Sequence, residues 1–253
     1  MNLRLLSDMH GDLPTIRKKC DVVCICGDIM PLDIQRDYEK SIIWISSKFI
    51  PWCEKLPCDK VIFIAGNHDF VFDEMYIRFK KKYNFYEQGI DSDVSESFSK
   101  YVASTFGLFR LDKIKYLHNS SYEYKGVKFY GTPYIPELKN WAFYADSEEL
   151  KAIFSHIPQN VDVLLTHSPG KNVNLTGTVL QSFYRPEYGS QELTDAVNER
   201  NVKYWFCGHV HTGNHNVTYY NGITVANVSI KDENYNVTFK PLSIEIEDGE
   251  TVC

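Results

Sequence analysis

No stretch of this chain approaches the roughly 20 consecutive apolar residues that a membrane-spanning helix requires, so no membrane association is expected. Basic runs are also missing. Lys and Arg total 27 against 33 Asp and Glu, for a net charge of −6, and no run of Lys and Arg exceeds three residues. Proteins that grip long nucleic acid through its phosphates need a basic face, so long nucleic acid is not the expected partner. The seven cysteines, Cys20, Cys24, Cys26, Cys53, Cys58, Cys207 and Cys253, contain no C-x-x-C pair, which argues against a zinc ribbon or a dithiol redox motif. Cys24, Cys26 and Cys207 fall in apolar runs and read as small buried hydrophobes. The odd count points to a reduced, cytoplasmic setting. Residues Met1 to Ser7 leave no room for a signal peptide, so the sequons at Asn174, Asn216, Asn227 and Asn236 carry no weight. With no repeat or low-complexity linker, the 253 residues, 43 % apolar and 24 % charged, are expected to form a single domain over 1–253.

Five short pieces stand out against this background: Asp8-Met9-His10, Gly27-Asp28, Gly66-Asn67-His68-Asp69, His167, and Gly208-His209-Val210-His211. Each follows an apolar run: Leu3 to Leu6, Val22 to Cys26, Val61 to Ala65, Val161 to Leu165 and Tyr204 to Cys207. Such runs suit strands buried on both faces, and residues just past their carboxyl ends fall in the crevice where α/β proteins bind ligands. Taken singly, each piece is a weak signal. As an ordered set, carboxylate, amide and imidazole groups suit two divalent first-row metals held side by side. Residues two apart, as in Asp8-x-His10 and His209-x-His211, can face one side of an extended strand exit. Glycines 27, 66 and 208 let the backbone turn and approach the ions. Asp28, alone in its motif, is assigned the bridge between them.

The order Asp-x-His, Gly-Asp, Gly-Asn-His-Asp, His, Gly-His-x-His resembles that of the calcineurin-like metallophosphoesterases, over residues 3 to about 226. The stretches Ala65 to Asp73, Tyr130 to Pro136, Asn140 to Phe143 and Thr166 to Gly170 resemble the metallophosphoesterase-domain-containing (MPPED-type) subgroup. The resemblance implies an α/β fold, a four-layer sandwich of two mixed β-sheets flanked by helices. It also implies one metal held by Asp8, His10 and His211, another by Asn67, His167 and His209, and Asp28 shared. A hydroxide between the ions would be the nucleophile. His68 matches the family's non-ligand histidine, which contacts the phosphoryl oxygen or protonates the leaving group, and Asp69 is expected to orient it. The implied cofactors are two divalent ions, Mn, Fe, Zn, Co or Ni. The implied activity is phosphoester hydrolysis, with a small organic or cyclic-nucleotide phosphodiester as the favoured substrate. A phosphomonoesterase, a nuclease and a non-catalytic metal-binding scaffold stay open as alternatives, as does a homodimer.

Elsewhere, Tyr38 to Trp52 has near-helical apolar spacing ended by Pro51. Glu74 to Tyr83 and Glu96 to Leu108 read as helices broken by the acidic 89–93 stretch, and the segment 74–110 has no assigned role. Ser121 to Tyr130 reads as a hairpin, and Ser147 to Phe154 as a helix with Ser147 as N-cap. Gln191 to Arg200 reads as another helix. Asn216 to Tyr220 and Ile223 to Asn227, about Asn221-Gly222, form a second hairpin. Closing strands near Val237 to Phe239 and Leu242 to Ile246 are expected to complete a second sheet. His118, His156 and His215 lack a motif and read as structural. The loop Ser168 to Pro186, with Lys171, Asn172, Asn174, Arg185, Phe183 and Tyr184, could bind phosphate or stack on a base, with an ordinary surface loop as the rival. Tyr134, Trp141 and Phe143 read as core before aromatic walls of a site.

Overall fold

The structure, a computed structural model, describes residues 1–84, 92–173 and 188–246. Strands β1 (Asn2–Leu6), β2 (Cys20–Cys26), β3 (Cys58–Ile64) and β4 (Ile114–Tyr116) pair in parallel. A second sheet follows the order β5-β6-β7-β8-β10-β9, formed by Ser120–Tyr124, Val127–Thr132, Asn160–Thr166, Asn201–Cys207, Ile223–Asn227 and Thr218–Tyr220 respectively. Its three inner pairings are parallel and its two outer ones antiparallel.

Side-chain alternation explains the layering. In β2, Val22, Cys24 and Cys26 join Leu3, Leu5, Ile62 and Ile64 of the first sheet against Phe129, Val163, Leu165 and Phe206 of the second. Val23 and Ile25 turn the other way, into the cluster that holds Phe49, Phe63 and Phe72 under the helices. Both faces of the central strands are therefore dry, which is why they read as continuous apolar runs. Two mixed sheets flanked by helices result, as expected.

Several expectations change in detail. The segment from Tyr38 is one continuous helical run of α1 (Tyr38–Trp44), a π turn (Ile45–Phe49) and α2 (Ile50–Lys55), so Pro51 does not end it. The π turn has the Ile50 N–H donate to Ile45 O, which reroutes the ladder just where Pro51 has no N–H. Helix α3 (Phe70–Tyr83) starts a turn earlier than Glu74, and α4 runs Ser92–Thr105; part of the acidic 89–93 stretch lies outside the described residues. Helix α5 (Ser147–Ser155) is capped by Asp146, not Ser147, in a reciprocal box with Glu149. Helix α6 (Gln191–Asn198) follows its Ser190 cap. The last strand, β11 (Leu242–Glu245), pairs antiparallel with β1, so it extends the first sheet and not the second. Val237 makes only an isolated bridge, to Lys231. Both hairpins form, with positive φ at Lys125-Gly126 and Asn221-Gly222 as two-residue turns of this kind demand.

The Asp146 cap is exposed. Asp146→Ala is expected to lower unfolding free energy by about 1 kcal/mol, read as a lower urea midpoint at unchanged slope, with metal content unaltered.

Candidate metal centre

Five parallel strands deliver the candidate ligands from their carboxyl ends. Asp8, Asp28 and Asn67 leave β1, β2 and β3 of the first sheet, while His167, His209 and His211 leave β7 and β8 of the second. The exits are not extended. Asp8, His10, Asp28 and His209 all have φ between 44 and 70°, a left-handed backbone that non-glycine residues adopt uncommonly. Neighbouring main chain holds the turns: Asp8 N donates to Gly27 O at 3.1 Å, His10 N to Asp28 O at 2.9 Å and Gly11 N to Ile29 O at 3.0 Å. Gly66 and Gly208 serve close approach, since a Cβ would overlap the Asp28 carboxylate at one and the Asp8 carboxylate at the other.

The donor atoms converge on two points. At the first, His211 Nε2 lies 3.3 Å from Asp8 Oδ1 and 3.4 Å from His10 Nε2. At the second, Asn67 Oδ1 lies 2.8 Å from both His167 Nε2 and His209 Nδ1. Asp28 stands between, its Oδ2 3.4 Å from His167 Nε2 and 3.8 Å from His10 Nε2. Asp8, Asp28, Asn67, His10 and His167 are buried. All seven expected ligands are thus brought together.

Tautomers show what the arrangement accepts. His167 Nδ1 faces the carbonyl of Cys26 at 2.8 Å and His211 Nδ1 that of Asp232 at 2.9 Å. A carbonyl only accepts, so each Nδ1 carries a hydrogen and each neutral ring aims its Nε2 lone pair inward. There it meets other acceptors, Asn67 Oδ1 or the Asp8 carboxylate. Lone pairs pointed at one another in a buried space call for a cation between them. The all-nitrogen-and-oxygen donor set fits divalent manganese, iron, cobalt, nickel or zinc.

In a metal-free site a proton takes part of that role. Burial pushes the His167 pKa down, but Asp28 and Asp8 overcome it and lift it to about 9. Burial raises Asp28 and Asp8, yet the surrounding imidazoles, His167 beside the first and His211 beside the second, hold both carboxyls well below the usual range. His10 goes the other way: burial outweighs Asp28 and Asp8 and lowers it to about 4.

Asp69 does not orient His68. Its oxygens accept the backbone N–H groups of Ile29, Met30 and Gly66 at 2.7–3.0 Å, tying the Asp28 and Asn67 loops together. Burial, with Asp28 adding, raises its pKa to about 8. The partner of His68 Nδ1 is Gln35 Oε1 at 2.5 Å, a residue that carries no motif. The ring of His68 also contacts Trp141, with centroids 4.4 Å apart; Tyr134 and Phe143 are core. His68 with His10 and Asp28 also satisfies metal-ligand spacing.

Sequence reading missed three further neighbours. Glu137 Oε2 lies 3.6 Å from His209 Nε2 while its other oxygen accepts from Gly189 N. Asp232 supplies the carbonyl behind His211, and Tyr235 sets its ring 4.9 Å from that of His211 and 5.0 Å from that of His10. The only available signal was the Asp- and Asn-rich composition of residues 232–236, which marks a turn but not a site. A cavity of about 420 Å³ opens above Asp28, Asn67 and His68, walled by Glu137, Tyr188, Glu233 and Tyr235. Of the 168–186 loop, Asn174, Phe183, Tyr184 and Arg185 lie outside the described residues, and Lys171 and Asn172 do not line this cavity. The other histidines fit structural roles: His118 is enclosed by aromatic rings, His156 bonds within α5's last turn, and His215 stacks on Phe239.

The family model for calcineurin-like phosphoesterases matches residues 1–213. The chain belongs to the calcineurin-like phosphoesterase family; this membership supports a phosphoric ester hydrolase, and the family typically binds divalent metals. Metallophosphoesterase domain-containing protein 1 of Homo sapiens is similar at 28 % identity over 244 residues, covering 95 % of this chain and 69 % of that one. UPF0046 protein T07D4.2 of Caenorhabditis elegans is 28 % identical over 81 % of this chain and 50 % of its own. The crystal structure of a phosphopantetheinyl hydrolase from Mycobacterium tuberculosis shares the fold, with a TM-score of 0.51 at 16 % identity over 92 % of this chain and 90 % of that one.

Metal and proton compete for His167, so affinity for metal rises with pH up to about 9. Calorimetry of Mn²⁺ binding at neutral pH, in buffers of different ionisation enthalpy, is expected to show proton release. In the metal-free protein the raised His167 pKa contributes stability fully below its unfolded value of 6.5, and that contribution is lost as pH rises through about 9. Resistance to urea with chelator present therefore falls over this window, and Mn²⁺ reverses the loss.

Proposed function

We propose that this protein is a two-metal phosphodiesterase acting on a small organic or cyclic-nucleotide phosphodiester. The observation that carries the reading is the pair of convergent donor groups that share Asp28 at the floor of the cavity. Asp8, His10 and His211 would hold one divalent ion, Asn67, His167 and His209 a second, with Asp28 between. Bound there, the ions supply charge neutralisation for the phosphoryl oxygens and a water acidic enough to attack at neutral pH.

The chain's own groups do the rest. Asp69 and the glycines keep the carboxylates in place, and the buried floor limits competing water. His68 presents Nε2 3.8 Å from Asp28 Oδ2, within reach of an oxygen leaving phosphorus. Burial outweighs Asp28, with His167 adding, and holds its pKa below the ordinary histidine value, so a proton carried there is readily given up. The walls favour a diester over a monoester. Among the described lining residues are Glu137 and Glu233 and no Lys or Arg, and a dianionic monoester is repelled by two carboxylates about twice as strongly as a monoanionic diester. Free thiols at all six described cysteines support a reducing, cytoplasmic setting.

Chelator-stripped protein is expected to hydrolyse bis-p-nitrophenyl phosphate, and not p-nitrophenyl phosphate, once Mn²⁺ is returned. Turnover of the monoester alone would make it a phosphatase; silence on both would favour a scaffold. Asp28→Ala is expected to lose metal and turnover together, while His68→Ala keeps its metal by elemental analysis. Equal metal loss in both variants would put His68 among the ligands.

A further inference from the structure

The contact between Gln35 and His68 joins two loops that the strands place side by side. Gln35 lies in the loop that leaves β2 past Asp28, and His68 in the loop that leaves β3. Asp69 locks the two together through Ile29 N, Met30 N and Gly66 N. Turn hydrogen bonds from Ile34 N to Pro31 O and from Asp37 N to Ile34 O fix the backbone on either side of Gln35. Its amide oxygen then meets His68 Nδ1 at 2.5 Å.

We propose that Gln35 is the positioning residue of His68, holding the ring from behind so that Nε2 alone faces the cavity. The proposal rests on the phosphoesterase reading of the site. An amide oxygen only accepts, so Nδ1 must carry a hydrogen and the exchangeable site is Nε2. Packing completes the grip. The His10 ring stands edge-on to one side of His68 with centroids 4.5 Å apart, and Trp141 lies on another at 4.4 Å. Trp141 is braced in turn by Phe70 at 5.7 Å and by the Arg36 guanidinium at 5.1 Å from its centroid. Ala142 N donates to Asn67 O at 3.3 Å, which binds the Trp141 loop to the ligand loop. A neutral amide orients the ring without adding a charge to a pocket that already buries Asp8 and Asp28.

The step this serves is leaving-group protonation. His68 first takes a proton from solvent at Nε2; as the bond from phosphorus to the leaving oxygen breaks and that to the attacking water oxygen forms, that proton passes to the departing alkoxide. The water's proton goes to solvent, and a neutral ring remains with Nδ1–H on Gln35. A p-nitrophenolate leaves without help; an alkoxide does not. The contribution of Gln35 therefore depends on the leaving group.

Two readouts test this on the metal-loaded chain. Long-range ¹H–¹⁵N spectra of the zinc form are expected to show His68 protonated at Nδ1 in the wild type and a tautomer mixture in Gln35→Ala. Gln35→Glu, which keeps the acceptor, restores the single form. Across diesters from p-nitrophenyl to alkyl, Gln35→Ala is expected to slow alkyl esters by about 10–100-fold, to leave p-nitrophenyl esters nearly unchanged and to retain metal. An Nε2–H tautomer in the wild type, equal slowing for all leaving groups, or loss of metal would overturn the proposal. A wild type that turns over no phosphodiester overturns the parent reading instead, and the tautomer spectrum then still decides the Gln35 contact.

Discussion

Two carboxylates and a ring of imidazoles crowd one largely buried space at the seam between the sheets, several of them held from behind by main-chain groups, with their remaining donor atoms turned on one another. Asp8 and Asp28 come from one sheet, His167, His209 and His211 from the other. Such a set repels itself unless a cation sits within it. In the metal-free protein protonated histidine fills part of the deficit, as the upward pull on His167 indicates. The sheets must therefore stay in register to better than the length of a side chain, and the apolar layer from Leu3, Cys24 and Ile62 to Phe129, Leu165 and Phe206 provides that register.

Backbone strain is present at the ligands as well as in turns elsewhere. Four candidate ligands adopt left-handed backbone angles, and Tyr235 beside them adopts another, with φ of 63°. Each such residue costs on the order of 1–3 kcal/mol. The cost is borne because the exits are tied laterally, Asp8 to Gly27 and His10 to Asp28, and because Asp69 gathers three backbone donors. A site so braced is held in shape by the chain itself, which is what the proposed metal and phosphoester binding would require.

Most of this was legible in the chain because the ligands sit in short motifs against strands buried on both faces, where local pattern and three-dimensional place coincide. The convergence of Asp8, Asp28, Asn67 and the four histidines His10, His167, His209 and His211 could be expected for that reason. Asp69 was misread because adjacency in sequence is not adjacency in space: helix α3 begins at Phe70, and the turn into it sends the carboxylate back toward Ile29 and Met30. Gln35, Glu137 and Tyr235 were invisible, being brought in by loops with no periodicity. The same limit explains Pro51, whose effect a π turn absorbs, and β11, whose partner is more than 230 residues away in β1.

Membership of the calcineurin-like phosphoesterases and the donor geometry of this chain meet in one claim, that Asp28 joins two metal positions. Anomalous diffraction from crystals of the manganese-loaded protein tests it most directly. The account predicts two peaks roughly 3.5–4 Å apart, one beside Asp8, His10 and His211, the other beside Asn67, His167 and His209, with an Asp28 oxygen between. A single peak, or two that leave Asp28 to one side, would contradict it.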